Sequence, residues 1–335
     1  MRSHIPSFIR VLVLIATAFA ASPLLPGAET PKPGIGQQPS AAKGAPLFGP
    51  SVRRIVFLGD SITYRGGYVS GIVAYQRAHE PRRNIEFINV GLSSETCSGL
   101  SAPGHAGGKF PRPDLHERLD RVLEKTHPDL VFTCYGMNDG IFMPFDEWRF
   151  QAFKDGMNWL HETVEKSGAK IIHITPPIFD EVKGGHAGYA GVLDKYSEWL
   201  VQQRGNGWQV IDLHTPMQQA LTAERSKNPA FAFSQDGVHP GDQGQWLMAR
   251  EILKGLGATG INGLASPAEL FGSRANAAQL MHLIQEQQNV MKDAWLTEIG
   301  HKRPQPPGLP LPEAQKQANV LESQIQALLP SPAQQ

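Results

Sequence analysis

Four short groups of residues hold the chemical promise of this chain. Ser61 lies in Gly59-Asp60-Ser61-Ile62-Thr63, directly after the apolar run Ile55-Val56-Phe57-Leu58. A serine hydroxyl is a weak nucleophile until a neighbouring base takes its proton. Asp236-Gly237-Val238-His239-Pro240 offers that base together with an orienting partner. A bend at Gly237 would let the Asp236 carboxylate hold one ring nitrogen of His239, leaving the other to face a hydroxyl. Tyr135-Gly136-Met137-Asn138-Asp139 closes another apolar run, and an Asn amide can donate to an oxyanion that develops during acyl transfer. Gly91, after the run Ile85 to Val90, offers a backbone N–H with no Cβ in the way.

Each group has a plainer reading when taken singly. Ser61 could cap a helix, His239 could be a surface residue before one, and Gly91 and Asn138 could simply form turns. Together they supply a nucleophile, a base with its orienter, and three oxyanion donors: Ser61 N–H, Gly91 N–H and the Asn138 amide. That set describes acyl transfer through a serine.

These groups must be brought together by the elements that precede them. Five apolar runs recur along the chain: Ile55 to Leu58, Ile85 to Val90, Leu130 to Tyr135, Ile171 to Ile174 and Gln209 to Ile211. Near-continuous apolar runs bounded by Gly, Pro, Asp or Asn suit strands buried on both faces. Helical spacing lies between them. Trp148, Phe153, Met157, Leu160 and Val164 share a face, with Gly168 as the stop; a second helix runs from Tyr189 to Arg204 and ends at Gly205. Thr215-Pro216-Met217-Gln218 reads as a capping box with Pro at the first helical position. Strand–helix alternation predicts an α/β fold, a doubly wound parallel sheet of about five strands covered on both faces. In such sheets ligands bind beyond the carboxyl ends of the strands, where all four groups fall.

The four groups, in this order between Arg53 and Leu256, resemble the four sequence blocks of the SGNH (GDSL-type) hydrolases. The namesake positions are filled by Ser61, Gly91, Asn138 and His239. The resemblance implies a flavodoxin-like α/β/α sandwich and ester hydrolysis through an acyl-serine, with no metal and no cofactor. It also implies substrates among acetylated sugars, lysophospholipids, thioesters and simple esters. The nucleophile sits in Gly-Asp-Ser, not in the five-residue elbow of the larger α/β-hydrolases.

The remainder of the chain sets the context. Arg2 and Arg10, the run Val11-Leu12-Val13-Leu14-Ile15-Ala16, and Ala18-Phe19-Ala20 fit a signal peptide over residues 1–21, which implies export to a periplasmic or extracellular space. Residues 22–52 are rich in Pro, Gly and Ala and read as a flexible linker, with order beginning at Arg53. The hydrolase domain then covers 53–260 and a helical extension 261–335. In that extension Leu280, Leu283, Ile284, Met291, Trp295 and Ile299 make one long amphipathic helix. A proline-rich turn from Pro304 to Pro312 follows, and a last helix carries Leu321, Ile325 and Leu328. The long helix is expected to bury its apolar face against an outer helix of the sheet, the alternative being a wall of the substrate cleft.

Lys+Arg and Asp+Glu are equal at 31 each, so no basic stripe points to nucleic acid. No interior run is long enough for a stable membrane anchor. Cys97 and Cys134 are too few for a disulfide framework or a zinc site and are expected to be free and buried. His105, in a Gly-rich insert after the second strand, reads as a loop residue at the lip of the site, and His173 as a core histidine. The expected partner is a small-molecule or glycan ester, removal of acetyl groups from a carbohydrate foremost. A lipase or lysophospholipase is the alternative within the class, and an inactive glycan-binding module the alternative outside it. The sequence leaves the oligomeric state open.

Overall fold

The computed structural model describes residues 46–272 and 274–329. The expected signal peptide and most of the expected linker lie outside the described residues. Five strands form one sheet: β1 (Arg54–Gly59), β2 (Glu86–Asn89), β3 (Leu130–Cys134), β4 (Lys170–Ile174) and β5 (Gln209–Ile211). Their order is β2-β1-β3-β4-β5 and every pairing is parallel. Ile55, Val56, Phe57 and Leu58 are all inaccessible to solvent, which requires cover on both faces of β1 and explains why the run carries no polar alternation.

The chain passes from β1 to β2 on one side and then to β3 on the other. The strand order therefore reverses at β1, where α/β sheets open a crevice beyond their carboxyl ends. Gly59 and Cys134 are register partners, so the segments that follow β1 and β3 leave the sheet side by side. Ser61 and Asn138 stand on those two segments.

The helices are α1 (Ser61–Arg65), α2 (Gly67–His79), α3 (Leu119–Thr126), α4 (Glu147–Lys166), α5 (Glu181–Gly184), α6 (Tyr189–Gln202), α7 (His214–Lys227), α8 (Asp242–Gly255), α9 (Ala277–Ile299) and α10 (Leu311–Leu328). The Asp146 side chain caps α4 by accepting from Arg149 N–H at 3.0 Å, and Gly168 follows the helix at φ 90°. Two helix ends differ from expectation. A 3-10 turn, Gln203–Asn206, prolongs α6, so the left-handed stop falls at Gly207 rather than Gly205. The Thr215 side chain does not cap α7; the helix opens at His214, two residues before the expected Pro216, and Asp212 Oδ1 accepts from Thr215 N–H inside its first turn at 3.1 Å. A carboxylate accepts such an N–H as well as a hydroxyl does, and the one nearer β5 was free to take the place.

Order also begins before Arg53, inside the segment read as linker. Phe48 is 3% exposed and packs edge-on to Phe87 and Phe132, with ring centroids 6.1 and 6.4 Å away. The Arg83 guanidinium donates to the Phe48 carbonyl at 2.7 Å. One aromatic side chain that plugs the sheet is enough to order a stretch whose composition otherwise favours a coil.

The helical extension is built onto this core. Leu280, Ile284, Trp295 and Ile299 of α9 are buried, and α9 packs on α10, α2, α3 and β2. The amphipathic face therefore covers an outer helix and the sheet edge, as its spacing suggests. Cys97 and Cys134 are both buried and free.

Replacing Phe48 by Ala is expected to cost about 3–5 kcal/mol of stability, the usual range for a buried Phe. Urea unfolding measures it, and a loss under about 1 kcal/mol would mean that Phe48 is not part of the folded core.

Candidate active site

Asp60 ends β1 in an extended conformation and starts α1 by accepting Ile62 N–H on its Oδ1 at 2.9 Å. This cap turns the chain sharply and exposes the next residue, Ser61, at the helix start. The Ser61 Oγ is 2.7 Å from His239 Nε2. The other ring nitrogen, Nδ1, is 2.7 Å from Asp236 Oδ2, while Asp236 Oδ1 accepts the backbone N–H of Val238 at 2.9 Å and of His239 at 2.8 Å. Partial burial alone would raise the Asp236 carboxyl, but the donors from His239 and Val238 outweigh it and hold the group at about 2. The carboxylate is thus ionised across the neutral range and fixes the imidazole.

The turn that carries both residues depends on Gly237. Its φ is 80°, and a Cβ there would stand 2.4 Å from Gly184 N and 2.6 Å from Asp180 O. Any side chain would therefore meet both a left-handed backbone and the start of α5. A hydrogen bond from Gly241 N–H to Phe233 O at 2.8 Å closes the base of the loop.

The three expected oxyanion donors fare differently. Ser61 N–H, at the open start of α1, has no partner among the described residues. Asn138 gives one amide hydrogen to the Glu95 carbonyl at 3.2 Å and keeps the second. Gly91 N–H, in contrast to expectation, is already engaged by the Asn89 side chain at 2.9 Å. Gly91 is required for a separate reason: a Cβ would lie 2.5 Å from Tyr64 N and 2.8 Å from the Thr63 carbonyl carbon. The glycine lets the end of β2 press against α1, and the same Asn89 reaches across to donate to Thr63 O at 2.7 Å. Of the three expected donors, Gly91 N–H is thus the one with a hydrogen-bond partner that takes up its only hydrogen.

Several interactions that shape the site are not marked by the motif groups alone. Glu95 and Arg118 form a bidentate ion pair at 2.6 and 2.7 Å with both side chains essentially inaccessible. Tyr135 O–H donates to the same carboxylate at 2.6 Å, and Arg118 also donates to Val90 O at 2.8 Å. Asp139, wholly buried, accepts from Ser98 N–H and Gly136 N–H, both at 2.9 Å, and so ties the loop after β2 to the turn after β3. Arg112 donates to Asn138 Oδ1 at 2.9 Å, which fixes which end of that amide is the donor. The signal for Arg112 in the sequence is its place between Pro111 and Pro113: two fixed φ angles and the restriction on a residue before proline hold it on a rigid stem. Ile141 and Phe142 follow at φ 49° and 56°, a costly conformation for a β-branched and an aromatic residue, and the Phe142 ring lies 5.3 Å from the Arg112 guanidinium carbon.

Residues 57–247 match the GDSL-like Lipase/Acylhydrolase family. The chain belongs to this family. It is accordingly a carboxylic ester hydrolase, and the resemblance carried by the four sequence blocks is borne out. A gut microbial diltiazem-metabolizing enzyme has a similar fold, with 15% identity over 85% of this chain and 97% of its own and a TM-score of 0.56. The acetylxylan esterase Axe2 from Geobacillus stearothermophilus, in a catalytic mutant, aligns at 20% identity over 61% of this chain and 94% of its own with a TM-score of 0.48. No curated protein sequence matches significantly.

The two other histidines weighed in the sequence, His173 and His105, lie outside the Ser61–His239–Asp236 line of this GDSL-like domain. His173 is inaccessible, within 3.0 Å of Thr133 Oγ1 and of His161 Nδ1, and burial pushes it down to about 3; it is a neutral core residue. His105 stands in the Gly-rich insert, edge-on to Phe110. Among the described residues no group of three or more His, Cys, Asp or Glu is spaced to hold a metal ion, and no helix is long and apolar enough to cross a membrane.

Asp60 supplies a test by pH. Burial, with Asp139 and Glu95 nearby, pushes its carboxyl up to about 7 against the pull of Ile62 N–H and Arg112. A carboxyl whose folded pKa is raised costs stability as pH rises from the unfolded value through the folded one. Asn caps a helix as well as Asp. Asp60→Asn is therefore expected to match wild type in Tm at pH about 4 and to exceed it at pH about 8. An equal difference at both pH values would show that the carboxyl does not titrate in this window.

Proposed function

We propose that the protein is an exported esterase that removes short acyl groups, acetyl foremost, from a carbohydrate through an acyl-Ser61 intermediate. The observation that carries the catalytic part is the continuous line Ser61 Oγ–His239–Asp236, with 2.7 Å at each step. As Ser61 Oγ attacks the ester carbonyl, His239 Nε2 takes its proton. Asp236 holds the ring and stabilises the imidazolium. The carbonyl oxygen gathers charge between Ser61 N–H and the free hydrogen of Asn138, donors already in place before the reaction. Collapse expels the alcohol, which leaves with the proton from His239. Water, deprotonated by the same nitrogen, then attacks the acyl-serine and releases the acid.

The walls support a short acyl group and a polar alcohol. A cavity of about 540 Å³ beside His239 is lined chiefly by polar side chains, among them Arg65, Gln235, Asp242 and Gln243. On the oxyanion side, Arg112 lies against Asn138. A long-chain lipase would want an apolar channel, and the α9 face that could have lined one is spent on α2 and β2. Export rests on residues 1–21: Arg2, Arg10, the apolar run from Val11 to Ala16, and Ala18-Phe19-Ala20.

Ser61→Ala is expected to lower turnover of p-nitrophenyl acetate by several orders of magnitude with an unchanged fold by circular dichroism, and a serine-reactive phosphonate should label Ser61 in the wild type. Labelling elsewhere, with activity kept in the variant, would overturn the nucleophile. Asn138→Ala is expected to lower kcat by about 10²–10³ with a smaller change in KM, since its contact strengthens in the transition state. A change confined to KM would make Asn138 a substrate-binding group instead. Release of acetate from acetylated oligosaccharides, compared with butyryl and long-chain esters, tests the substrate class.

A further inference from the structure

The rim of the site holds two arginines that form no ion pair among the described residues. Arg250 aside, which meets only the Leu264 carbonyl at 3.2 Å, several enclosed arginines elsewhere are matched by carboxylates, though Arg77 Nε and Arg118 Nη1 still lack partners: Arg118 by Glu95 at 2.6 Å, Arg77 by Glu322 at 2.8 Å and Arg225 by Asp180 at 2.6 Å. Arg112 and Arg303 are not. Arg112 donates one nitrogen to the neutral Asn138 amide, and Arg303 donates to the Pro304 carbonyl at 3.2 Å; the Nε of each is buried without a partner. The carboxylates that act on Arg112, Asp139 and Asp60, already accept backbone N–H groups.

The two guanidiniums belong to one place. Arg112 ends the Gly-rich insert and Arg303 stands in the loop after α9, residues 300–310. Phe110 joins them: its ring lies 5.6 Å from the Arg303 guanidinium carbon and 5.5 Å from the His105 ring. Burial lowers the pKa of His105, and Arg112 and Arg303 both push it further down, so the imidazole lies within reach of both charges. The Tyr64 hydroxyl, three positions after Ser61 on α1, donates to Asp293 Oδ1 at 3.0 Å; burial and Asp293 raise its pKa and Arg303 lowers it. His105 Nε2 and His301 Nδ1 are buried without partners as well. A rim thus runs from the oxyanion residue Asn138 through Arg112, His105 and Phe110 to Arg303 and back to the nucleophile's own helix. Along it stand four nitrogens without partners, and two of the side chains that carry them are permanently charged.

An enclosed, unpaired charge is costly, and a planar guanidinium with a free Nε is shaped to receive an oxyanion in two-point fashion. We propose that the junction of the Gly-rich insert with the loop after α9 binds an anionic substituent, carboxylate or sulfate, on the sugar that bears the ester. The inference rests on the carbohydrate reading above and makes the substrate an acidic glycan. The helical extension then has a second use besides packing: it delivers Arg303 to the site.

The test uses the full chain and three O-acetylated methyl glycosides that differ only at C6: a glucuronoside, a glucoside 6-sulfate and a neutral glucoside. Wild type is expected to favour at least one charged substrate over the neutral one by about tenfold in kcat/KM, chiefly through KM, and to lose that preference as salt is raised from about 50 to about 500 mM. The two charged substrates distinguish carboxylate from sulfate. Arg303→Gln should collapse the charged-to-neutral ratio toward one, and Arg303→Lys should restore part of it. Equal hydrolysis of all three sugars by wild type would leave the carbohydrate reading intact and overturn the anion subsite. So would a preference that neither salt nor Arg303→Gln reduces, and, where that variant does not fold, the salt series alone decides. Hydrolysis of p-nitrophenyl acetate but of none of the sugars would overturn the carbohydrate reading and this inference with it.

Discussion

The pair formed by Glu95 and Arg118 is the knot on which the site hangs. It is wholly enclosed, and an ion pair so enclosed repays the loss of water only through further hydrogen bonds, which every polar atom of the pair but Arg118 Nη1 makes. Here the remaining capacity is used on neighbours that matter: Tyr135 at the end of β3, the Val90 carbonyl at the end of β2, and, through the Glu95 backbone carbonyl, the amide of Asn138. The carboxyl ends of two strands and one oxyanion donor are therefore referred to a single buried charge pair. Burial pushes the Glu95 carboxyl up, and Arg118 and Tyr135 pull it back. The segment between β2 and α3 has little regular structure of its own, and this pair substitutes for it.

Around that knot the site is assembled from restraints rather than from contacts with a substrate. Asp139 clamps the loop after β2 to the turn after β3, Gly91 allows β2 to approach α1, and Gly237 sets the bend that brings Asp236 beneath His239. The left-handed Ile141 and Phe142 are unfavourable in isolation and persist because the surrounding packing leaves them no alternative. Preorganisation of this kind is what an oxyanion site needs, since donors that had to reorient during the reaction would give back much of their stabilisation.

Much of this was legible in the sequence, and the legible part was local. Each strand announced itself as a short apolar run because both of its faces are covered, and the four motif groups fell after strands one, two, three and five. The distance from Ser61 to His239 along the chain was no obstacle, because parallel topology delivers all strand ends to one edge. What escaped was pairwise and distant. Nothing near Glu95 marks Arg118 as its partner, and nothing near Phe48 in a Pro- and Gly-rich stretch points to the rings of Phe87 and Phe132. The engagement of Gly91 N–H by Asn89 escaped for the opposite reason. The two residues are only two positions apart, but whether the side chain folds back depends on how closely α1 approaches. The start of α7 was misplaced by two residues because Asp212 and the distant Thr175 accept the first N–H groups that a Thr215 cap would have claimed.

The placement of Arg303 has a consequence for how such an enzyme diversifies. The groups proposed to carry the acyl chemistry all come from residues 59–239, whereas the far half of the proposed rim comes from a loop that follows a helix packed on the outside. Substitutions or insertions between α9 and α10 can redraw the rim while the line from Ser61 to Asp236 stays untouched. If the proposed rim binds substrate, the extension is an interchangeable faceplate: rewriting a few residues near the end of the chain would change which ester is held, at little risk to the reaction itself.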